Sequence, residues 1–420
     1  MDKQIIKKII VENHEFISKL NVKKRFYEFD ASANYIFCGI RRSGKSFLLF
    51  QRIKEIISKN DKTSFVYLNF EDERFIEFNY SSFDLILECA FELNTDKPVL
   101  FFDEIQNING WEKFARRLAD TGYKIFITGS NAKILSREMA TTLGGRYLIK
   151  DVSPLSFKEY LDFNSIQIED NFEFTSQRFL LKEQFAIYFK YGGFPEISKF
   201  QNPREYLSNI YMKVFYGDLI ARNHIQNEQT LRLLIKKLAE SVNNETSLNR
   251  IKNLIKSSGL KIGSNTITEY ITYLQDAYLI FPLNNYTSSF TERETKKKYY
   301  FIDQGILNLF ITDQDSKLLE NITFLHLFKM YPNNIFYFKR NQEVDFYIPG
   351  EKILIQVSYS VSNIEAKQRE VAALLTAMKE LNIQTAAIIT YDEEEIIETD
   401  NYRINVIPIW KWLLRDSGLK

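Results

Sequence analysis

Cysteine and proline are scarce in this chain, and its charges nearly balance. Of 420 residues, 2 are cysteine and 8 are proline, and the formal net charge is +1. Cys38 and Cys89 both lie in apolar segments, which predicts reduced core thiols rather than a disulfide. The scarcity of proline argues against long disordered linkers. The balanced charge predicts no strong attraction of the whole molecule to nucleic acid or membrane, so any nucleic-acid surface would be a local patch.

Long apolar runs are missing as well. No uninterrupted apolar segment approaches the roughly 20 residues that a membrane span requires. The first residues, MDKQIIKKIIVENHEF, are amphipathic and contain acids, unlike the apolar centre of a signal peptide. The sequence shows no internal repeat and no low-complexity tract. We therefore expect a cytoplasmic protein that does not cross a membrane.

The chain has enough apolar material for globular domains. Hydrophobic residues make up 45% of the sequence and charged residues 26%, with 35 Phe and 24 Tyr. A length of 420 residues predicts two or three domains. Residues 3–20 carry apolar residues at near-helical spacing, which predicts one or two short helices. The basic residues in and after this region are predicted to be solvated: Lys7, Lys8, Lys23, Lys24 and Arg25.

A glycine-rich loop stands between a predicted strand and a predicted helix. The apolar run 35–38 precedes residues 39–46, which read GIRRSGKS and match the phosphate-loop pattern G-x-x-x-x-G-K-[ST]. Its glycines let backbone N–H groups and a helix N-terminus face an anion. Lys45 is predicted to reach the β- and γ-phosphates and Ser46 to bind Mg²⁺. The predicted nucleotide-binding residues are Gly39, Ile40, Arg41, Arg42, Ser43, Gly44, Lys45, Ser46 and Phe47.

Two carboxylates end another apolar run further along the chain. Residues 98–104 read PVLFFDE, a pattern typical of a buried strand that delivers acids to the carboxyl edge of a parallel sheet. Asp103 is predicted to hold Mg²⁺. Glu104 is predicted to act as general base on the attacking water, which favours hydrolysis.

Polar residues follow the next apolar strand, at 124–129. Either Ser130 or Asn131 could orient the attacking water, and as a bare fragment the segment reads equally well as a turn. Two arginines further on, Arg137 and Arg146, are candidates to stabilise charge on the γ-phosphate, within the chain or across a subunit boundary.

Together these segments resemble the bacterial and archaeal AAA+-type P-loop ATPases that carry a C-terminal domain of unknown function. The resemblance rests on GIRRSGKS, LNFEDER, VLFFDEIQ, ITGSN, GGRY and SPLSFKEY, and YGGFPE at 191–196 is similar to a loop of that family's helical lid. It spans essentially the whole chain and implies ATP and Mg²⁺ as ligands. It also implies that the acidic strand lies beside the neighbour of the phosphate-loop strand. The implied roles are nucleotide and Mg²⁺ binding for Lys45 and Ser46, metal binding for Asp103, general base for Glu104, sensor for Asn131 and arginine finger for Arg146.

The segment 231–283 predicts helix, turn, helix and the start of a β-hairpin, the order of a winged helix, with a wing loop over 284–298. Such a domain can place its second helix in a DNA major groove, and a winged helix used for protein contacts is an equal alternative. Residues 296–298, three lysines, are predicted to be solvated. The basic residues that support DNA contact are Lys236, Lys237, Arg250, Lys252, Lys256 and Lys261.

The segments 336–348 and 353–358 form a hairpin-like pair that resembles the core of restriction-endonuclease-like folds. In such nucleases an acid and a lysine occupy alternate positions of one strand. Both therefore point to the same face, where they bind Mg²⁺ and activate water. Asp345 matches the first acid, but Gln356 and Ser358 stand where the second acid and the lysine should be. We therefore predict a nuclease-like fold that has lost cleavage.

The predicted fold is α/β: a P-loop NTPase parallel sheet with a helical lid, then a winged helix and an α/β nuclease-like C-terminal domain. The predicted function is an Mg²⁺-dependent ATPase whose nucleotide state controls a C-terminal module that binds DNA or protein. An ATP-regulated DNA nuclease and a non-enzymatic DNA-binding regulator with a nucleotide switch remain alternatives, and so does assembly into a homo-oligomer. The predicted domains are 1–160 (ATPase core with N-terminal helices), 161–225 (helical lid), 226–300 (winged helix) and 301–420 (nuclease-like).

Overall fold

The computed structural model describes residues 1–59, 64–130, 141–260, 262–399 and 401–415. The chain divides into two compact units. The first unit comprises Met1–Ser153 with Asp276–Tyr278, and the second comprises Pro154–Gln275 with Leu279–Lys420. Within the described ranges, no helix is long and apolar enough to cross a membrane.

A parallel sheet forms the centre of the first unit. Its strands are β1 (Asn34–Cys38), β2 (Phe65–Asn69), β3 (Val99–Asp103), β4 (Ile125–Gly129) and β5 (Tyr147–Asp151). Their order is β2-β3-β4-β1-β5, with every pair parallel. Strands β1, β3 and β4 are buried almost throughout, as expected of non-alternating apolar runs in a parallel sheet. Because β4 lies between β1 and β3, the acidic strand has the position that the family resemblance implies.

The first unit also contains α-helices. They are α1 (Lys3–Lys19), α2 (Lys45–Lys59), α3 (Phe83–Leu93) and α4 (Trp111–Asp120). The N-terminal segment therefore forms a single helix in α1. Helix α2 begins at Lys45, so the glycine-rich loop leads directly into a helix N-terminus.

Aromatic rings join the three central strands of the first unit. Tyr35 and Phe37 are two residues apart on β1 and therefore point to the same face of the sheet. The Phe126 ring stacks on Tyr35, with ring centroids 6.0 Å apart, and on Phe101, with centroids 5.0 Å apart. All four side chains are buried. This packing holds β1, β3 and β4 together, and their carboxyl ends consequently meet at one edge.

The second unit begins with helices, and a small sheet follows them. The helices are α5 (Phe157–Phe163), α6 (Gln177–Tyr191), α7 (Pro203–Lys213), which continues as a π-helical segment over Val214–Ala221, α8 (Glu228–Glu240), α9 (Leu248–Ser257) and α10 (Ser264–Asp276). The sheet contains β6 (Thr246–Ser247), β7 (Ile280–Leu283) and β8 (Lys296–Phe301) in the order β6-β8-β7, with antiparallel pairs.

The prediction of a polar wing loop over 284–298 is wrong in its second half. Residues Phe290–Thr295 form helix α11, and β8 begins at Lys296. A capping box starts this helix, because Ser289 Oγ accepts from Glu292 N and the Glu292 carboxylate accepts from Ser289 N. Ser and Glu at this spacing are a signal for a helix start that the sequence does contain.

The YGGFPE loop after α6 packs against a buried carboxylate. Gly193 N donates to Asp303 Oδ2 at 2.8 Å, and Gly305 N donates to Asp303 Oδ1 at 2.8 Å. A Cβ atom on Gly192 would lie 2.0 Å from Asp303 Oδ1, so the loop requires glycine there. Asp303 in turn caps the short helix α12 (Gln304–Leu307).

A mixed six-stranded sheet ends the second unit. Its order is β13-β14-β12-β11-β10-β9. The antiparallel strands β9, β10 and β11 come first in the chain, and β12 then lies parallel to β11. The predicted single strand over 336–348 is wrong, because the chain turns at 340–342 and makes two strands. The elements are α13 (Asp315–Met330), β9 (Phe336–Lys339), β10 (Glu343–Ile348), β11 (Ile353–Val357), α14 (Ile364–Leu381), β12 (Thr385–Thr390), β13 (Glu395–Thr399), β14 (Tyr402–Pro408) and α15 (Ile409–Trp412).

Candidate active site

The glycine-rich loop packs tightly against the segment after β5. Val152 N donates to Cys38 O at 2.6 Å. A Cβ atom on Gly39 would lie 2.2 Å from Val152 O, so a larger residue would push the two segments apart. The loop's first glycine is therefore required by backbone packing, in addition to its predicted role in phosphate binding.

The Lys45 side chain folds back onto the loop that precedes it. Its side chain is buried, and Nζ donates to Gly39 O at 3.0 Å and to Ile40 O at 3.1 Å. Nζ also lies 3.5 Å from Glu104 Oε1. The ammonium group thus stands between the loop and the carboxylate predicted to be the base.

Arg25 supports the same loop, although the sequence predicted it to be solvated. The side chain is 3% exposed, and NH1 donates to Ser43 O at 2.9 Å and to Ser153 O at 3.0 Å. Arg25 N donates to Gln51 Oε1 on α2 at 2.8 Å. The prediction is wrong because a buried carbonyl on the glycine-rich loop provides a partner that charge patterning alone does not reveal.

The other predicted loop residues differ in their surroundings. Ile40 is buried. Arg41 NH1 pairs with Glu71 Oε1 at 2.5 Å, which places a cation and an acid beside the loop. Arg42 is exposed and has a left-handed backbone, with φ of 65°. The Phe47 side chain is 46% exposed on the first turn of α2.

Asp103 ends β3 in a fully buried position surrounded by hydroxyl groups. Tyr67 OH donates to Asp103 Oδ2 at 2.7 Å, Thr128 Oγ1 donates to Oδ1, and the Ser46 hydroxyl also hydrogen-bonds the carboxylate. Burial, and then the charge of Glu104, raise the pKa of Asp103, and the three hydroxyl groups oppose this shift.

Ser46 and Asp103 offer oxygen atoms of the kind that Mg²⁺ prefers. A hydroxyl and a carboxylate at hydrogen-bonding distance suit an ion that keeps several waters and takes further oxygens from a phosphate. In the described part of the chain, His, Cys, Asp and Glu side chains form no group of three or more that could hold a metal ion. The residues present therefore fit Mg²⁺ bound together with a substrate phosphate rather than by protein alone.

Glu104 stands one residue beyond β3 with a left-handed backbone, φ 51° and ψ 43°. Its N–H donates to Thr128 Oγ1 at 2.9 Å, and Gln106 Nε2 donates to Glu104 Oε2 at 2.5 Å. Burial acts to raise the pKa of Glu104, but the Lys45 ammonium and the hydrogen bond from Gln106 outweigh it, and the pKa lies below its ordinary value. Glu104 is therefore ionised at neutral pH, as a general base must be.

Ser130 lies inside this arrangement, at the end of β4. It is buried, and its hydroxyl hydrogen-bonds the Glu104 carboxylate. Asn131, the predicted sensor, and Arg137 lie outside the described residues, so their predicted roles stay predictions. No site role was predicted from the sequence for Tyr67, Thr128 or Gln106. Thr128 and Gln106 lie near or just past the end of a buried strand, which is an available signal, whereas Tyr67 lies in the middle of β2 and offers none.

Arg146 lies away from this edge of the sheet. It immediately precedes β5, whose first residue, Tyr147, pairs with Asn34 at the start of β1. Because the strands are parallel, Arg146 lies at the amino edge, opposite the glycine-rich loop. Its guanidinium forms an ion pair with Asp120 at the end of α4. The structure does not bring Arg146 to the site of its own chain, and action across a subunit boundary stays a prediction.

The second unit contains a separate buried charge cluster, which we call the Lys298 cluster: Lys298, Glu320, Glu343 and Asp345. Lys298 Nζ lies 3.2 Å from Glu320 Oε1, 2.9 Å from Glu343 Oε1 and 3.0 Å from Asp345 Oδ1. The lysine is completely buried, so the prediction that it is solvated is wrong. Burial, followed by the charge of Asp345, raises the pKa of Glu320 to about 7, although Lys298 opposes this.

The residue at the predicted second-acid position takes part in a neighbouring network. Gln356 Oε1 accepts from Asp345 N at 3.2 Å, and its Nε2 donates to Glu370 Oε2 at 2.8 Å. Asp345 Oδ2 accepts from Val357 N at 3.0 Å. Both carboxylate oxygens of Asp345 are therefore engaged by protein groups, one by Lys298 and one by the backbone.

Two segments of the chain match protein-family models, and two relatives match nearly the whole chain. Residues 32–161 match a family model described as an AAA domain, and residues 182–317 match one described as a domain of unknown function. An uncharacterized protein of Methanocaldococcus jannaschii is 39% identical over 99% of this chain and 96% of its own length. An uncharacterized protein of Haemophilus influenzae is 28% identical over 95% of this chain and 99% of its own length. Among solved structures, the Walker-type ATPase of Pyrococcus abyssi is 14% identical, with a TM-score of 0.39, covering 74% of this chain and 95% of that one.

Proposed function

This chain belongs to the family of the Methanocaldococcus jannaschii protein and carries an AAA domain, and on these findings we propose that it is an Mg²⁺-dependent ATPase. ATP would bind at the glycine-rich loop of the first unit and be hydrolysed there. The finer assignments of individual residues rest on the geometry at the carboxyl edge of the sheet.

One observation carries the proposal: the phosphate-loop lysine lies 3.5 Å from a buried, ionised glutamate. The loop, β3 and β4 deliver Lys45, Glu104 and Ser130 to one place, although these residues are far apart in the chain. A lysine that binds a phosphate and a carboxylate that accepts a proton are both needed for hydrolysis of a phosphoanhydride.

Each side chain has a defined part in the proposed reaction. Lys45 would leave the carbonyl groups of Gly39 and Ile40 and bind the β- and γ-phosphates instead. Ser46 and Asp103 would hold Mg²⁺, which when bound neutralises charge on the phosphate oxygens. Glu104 would take a proton from the water whose oxygen attacks the γ-phosphorus, because its carboxylate is ionised and faces the loop.

Two substitutions separate binding from hydrolysis. Lys45→Ala should abolish ATP binding measured by calorimetry, because the phosphates lose their buried cation. Glu104→Gln should bind ATP with an affinity within about threefold of the wild type but lose at least about a hundredfold in turnover, since only proton transfer is removed. Lys59→Ala, at an exposed position of the helix that follows the loop, is the comparison for general damage to the fold around the loop.

The proposal has clear points of failure. A well-folded wild-type protein that releases no heat with ATP would contradict nucleotide binding. Normal turnover in Glu104→Gln would contradict the assignment of the base while leaving ATP binding intact.

We propose that the nucleotide state of the ATPase controls a C-terminal module of the same chain. Its proposed parts are a helical lid over 161–225, a winged helix over 226–300 and a nuclease-like domain over 301–420. The succession of α8, β6, α9, α10 and the β7–β8 hairpin supports the winged helix, with β6 adding a third strand to the hairpin.

The distribution of charge favours phosphate contact through α9 if the module binds DNA. The exposed positions of α10, which include Asn265, Thr268 and Glu269, carry no cation. Helix α9 carries Arg250 and Lys256, both exposed. Binding through α9 would be sequence-independent and would weaken steeply with salt. Contact with a protein partner or a second copy of the chain is the alternative.

A further inference from the structure

Gln106 lies two residues beyond the proposed base, in a tight turn at the sheet edge. We propose that Gln106 is a positioning residue for hydrolysis, with its amide N–H holding the Glu104 carboxylate and its amide oxygen receiving a hydrogen of the attacking water. This inference rests on the proposed ATPase function and deepens it.

The backbone after β3 returns Gln106 to the Glu104 carboxylate. Glu104 has a left-handed backbone, and residues Ile105–Asn107 then form a single 3₁₀ turn. This turn places Gln106 Nε2 2.5 Å from Glu104 Oε2 and 3.4 Å from Ser130 Oγ. The amide therefore fixes the carboxylate from the side away from Lys45.

The other atom of the same amide is an unused acceptor. Gln106 Oε1 is buried, and no group among the described residues donates a hydrogen bond to it. A buried carbonyl oxygen without a donor is energetically costly, so its presence beside the proposed base points to a donor that arrives with the substrate. A water molecule is a donor of the required size.

Movement of Lys45 would provide the space for this water. Lys45 Nζ now lies 3.5 Å from Glu104 Oε1, and a triphosphate would draw the ammonium group toward its β- and γ-oxygens. A water could then donate one hydrogen to Glu104 and the other to Gln106 Oε1. With both hydrogens held, a lone pair of the water oxygen is left free to form a bond to the γ-phosphorus, while the bond from that phosphorus to the β–γ bridging oxygen breaks. ADP leaves with the electron pair of the broken bond, inorganic phosphate is formed, and Glu104 receives the proton of the water.

The test uses full-length Gln106→Leu and Gln106→Met, two apolar side chains of similar size. Both should bind ATP with an affinity within about threefold of the wild type, while turnover falls about 10- to 100-fold, within the range for loss of a positioned acid–base group. The loss should therefore fall on turnover and not on ATP affinity, a division that a general disturbance of the loop would not give. Asn107→Ala, in the same turn but with an exposed side chain, should leave both turnover and ATP affinity unchanged.

The outcomes distinguish this inference from the function on which it rests. If the wild type hydrolyses ATP, Glu104→Gln does not, and the Gln106 variants retain wild-type turnover or lose ATP affinity in proportion to turnover, only the role of Gln106 is overturned. An equal loss in Asn107→Ala would also overturn it, since the turn and not the amide would then be responsible. If the wild type does not hydrolyse ATP, both proposals fail together.

Discussion

Three hydroxyl groups, those of Tyr67, Thr128 and Ser46, hydrogen-bond the Asp103 carboxylate. They satisfy a charged group that is otherwise fully buried, and they stabilise its ionised form. At the scale of single residues, Asp103 is thus held by neutral donors from β2, β4 and the first turn of α2 rather than by additional cations. Lys45 is the cation in direct reach of Glu104, and it is the group that the substrate would displace.

Tyr67→Phe tests whether these donors prepare Asp103 for Mg²⁺. The change removes the hydrogen bond to Asp103 Oδ2 but keeps the ring packing on Phe50, whose centroid lies 5.1 Å away. The Mg²⁺ concentration for half-maximal ATP hydrolysis should rise about tenfold, as for loss of other groups that orient a metal ligand. Tyr80→Phe, at a half-exposed tyrosine, is the matched control and should have no effect. An unchanged Mg²⁺ requirement in Tyr67→Phe would show that the hydroxyl is only structural.

At the scale of secondary-structure elements, local signals account for where many strands and helices occur. The apolar runs that predict β1, β3 and β4 are strands because both faces of a parallel sheet are covered. Two errors of prediction arose from short local features of the chain. The turn between β9 and β10 divides a segment predicted as one strand, and the capping box that begins α11 starts a helix in a segment predicted as a loop.

The YGGFPE loop shows how a motif can have a packing explanation. Gly192→Ala should destabilise the protein strongly, because φ is 78° and the added Cβ would meet Asp303 Oδ1 at 2.0 Å. Gly259→Ala is a matched control, with φ of 83° and open space around the Cβ. Gly259→Ala should carry a backbone cost of about 1–2 kcal/mol. Gly192 has ψ of −167°, in a region essentially confined to glycine, so its backbone cost should be about 1–3 kcal/mol, and the clash should add at least about 1–3 kcal/mol for Gly192 alone. Urea unfolding measures the difference, and equal losses for the two variants would refute the packing explanation.

At the scale of the whole molecule, a net charge of +1 conceals strongly uneven local charge. The Lys298 cluster buries one lysine and two acids, Glu320 and Asp345, in the interior of the second unit, with Glu343 partly exposed beside them. Lost cleavage was predicted because Gln356 replaces the second acid and Ser358 replaces the lysine. Lys298 on β8 supplies a cation at Asp345 instead. The expectation of no cleavage now has a different physical basis, since both oxygens of Asp345 are already engaged.

Incubation of the intact protein with plasmid DNA and Mg²⁺, with and without ATP, tests this expectation. We expect no nicking or linearisation, because a metal ion would have to displace Lys298 from a fully buried position. Asp345→Ala is the control for contaminating nuclease, whose activity the substitution would not change. Cleavage that disappears in Asp345→Ala but persists in Glu104→Gln would establish the nuclease alternative.

The sequence by itself determined the phosphate loop, the acidic strand end and the predominantly α/β character, because these depend on contiguous residues and on the spacing of apolar side chains. It also predicted roles for Lys45, Ser46, Asp103 and Glu104, whose side chains lie close together in the structure. Only the tertiary structure decided the surroundings of Arg25 and Lys298, the convergence of Tyr67 and Gln106 on the acids, and the placement of Arg146 at the opposite edge. These depend on which distant strand ends become neighbours, and a buried charge reveals its partner only when the chain has brought the two together.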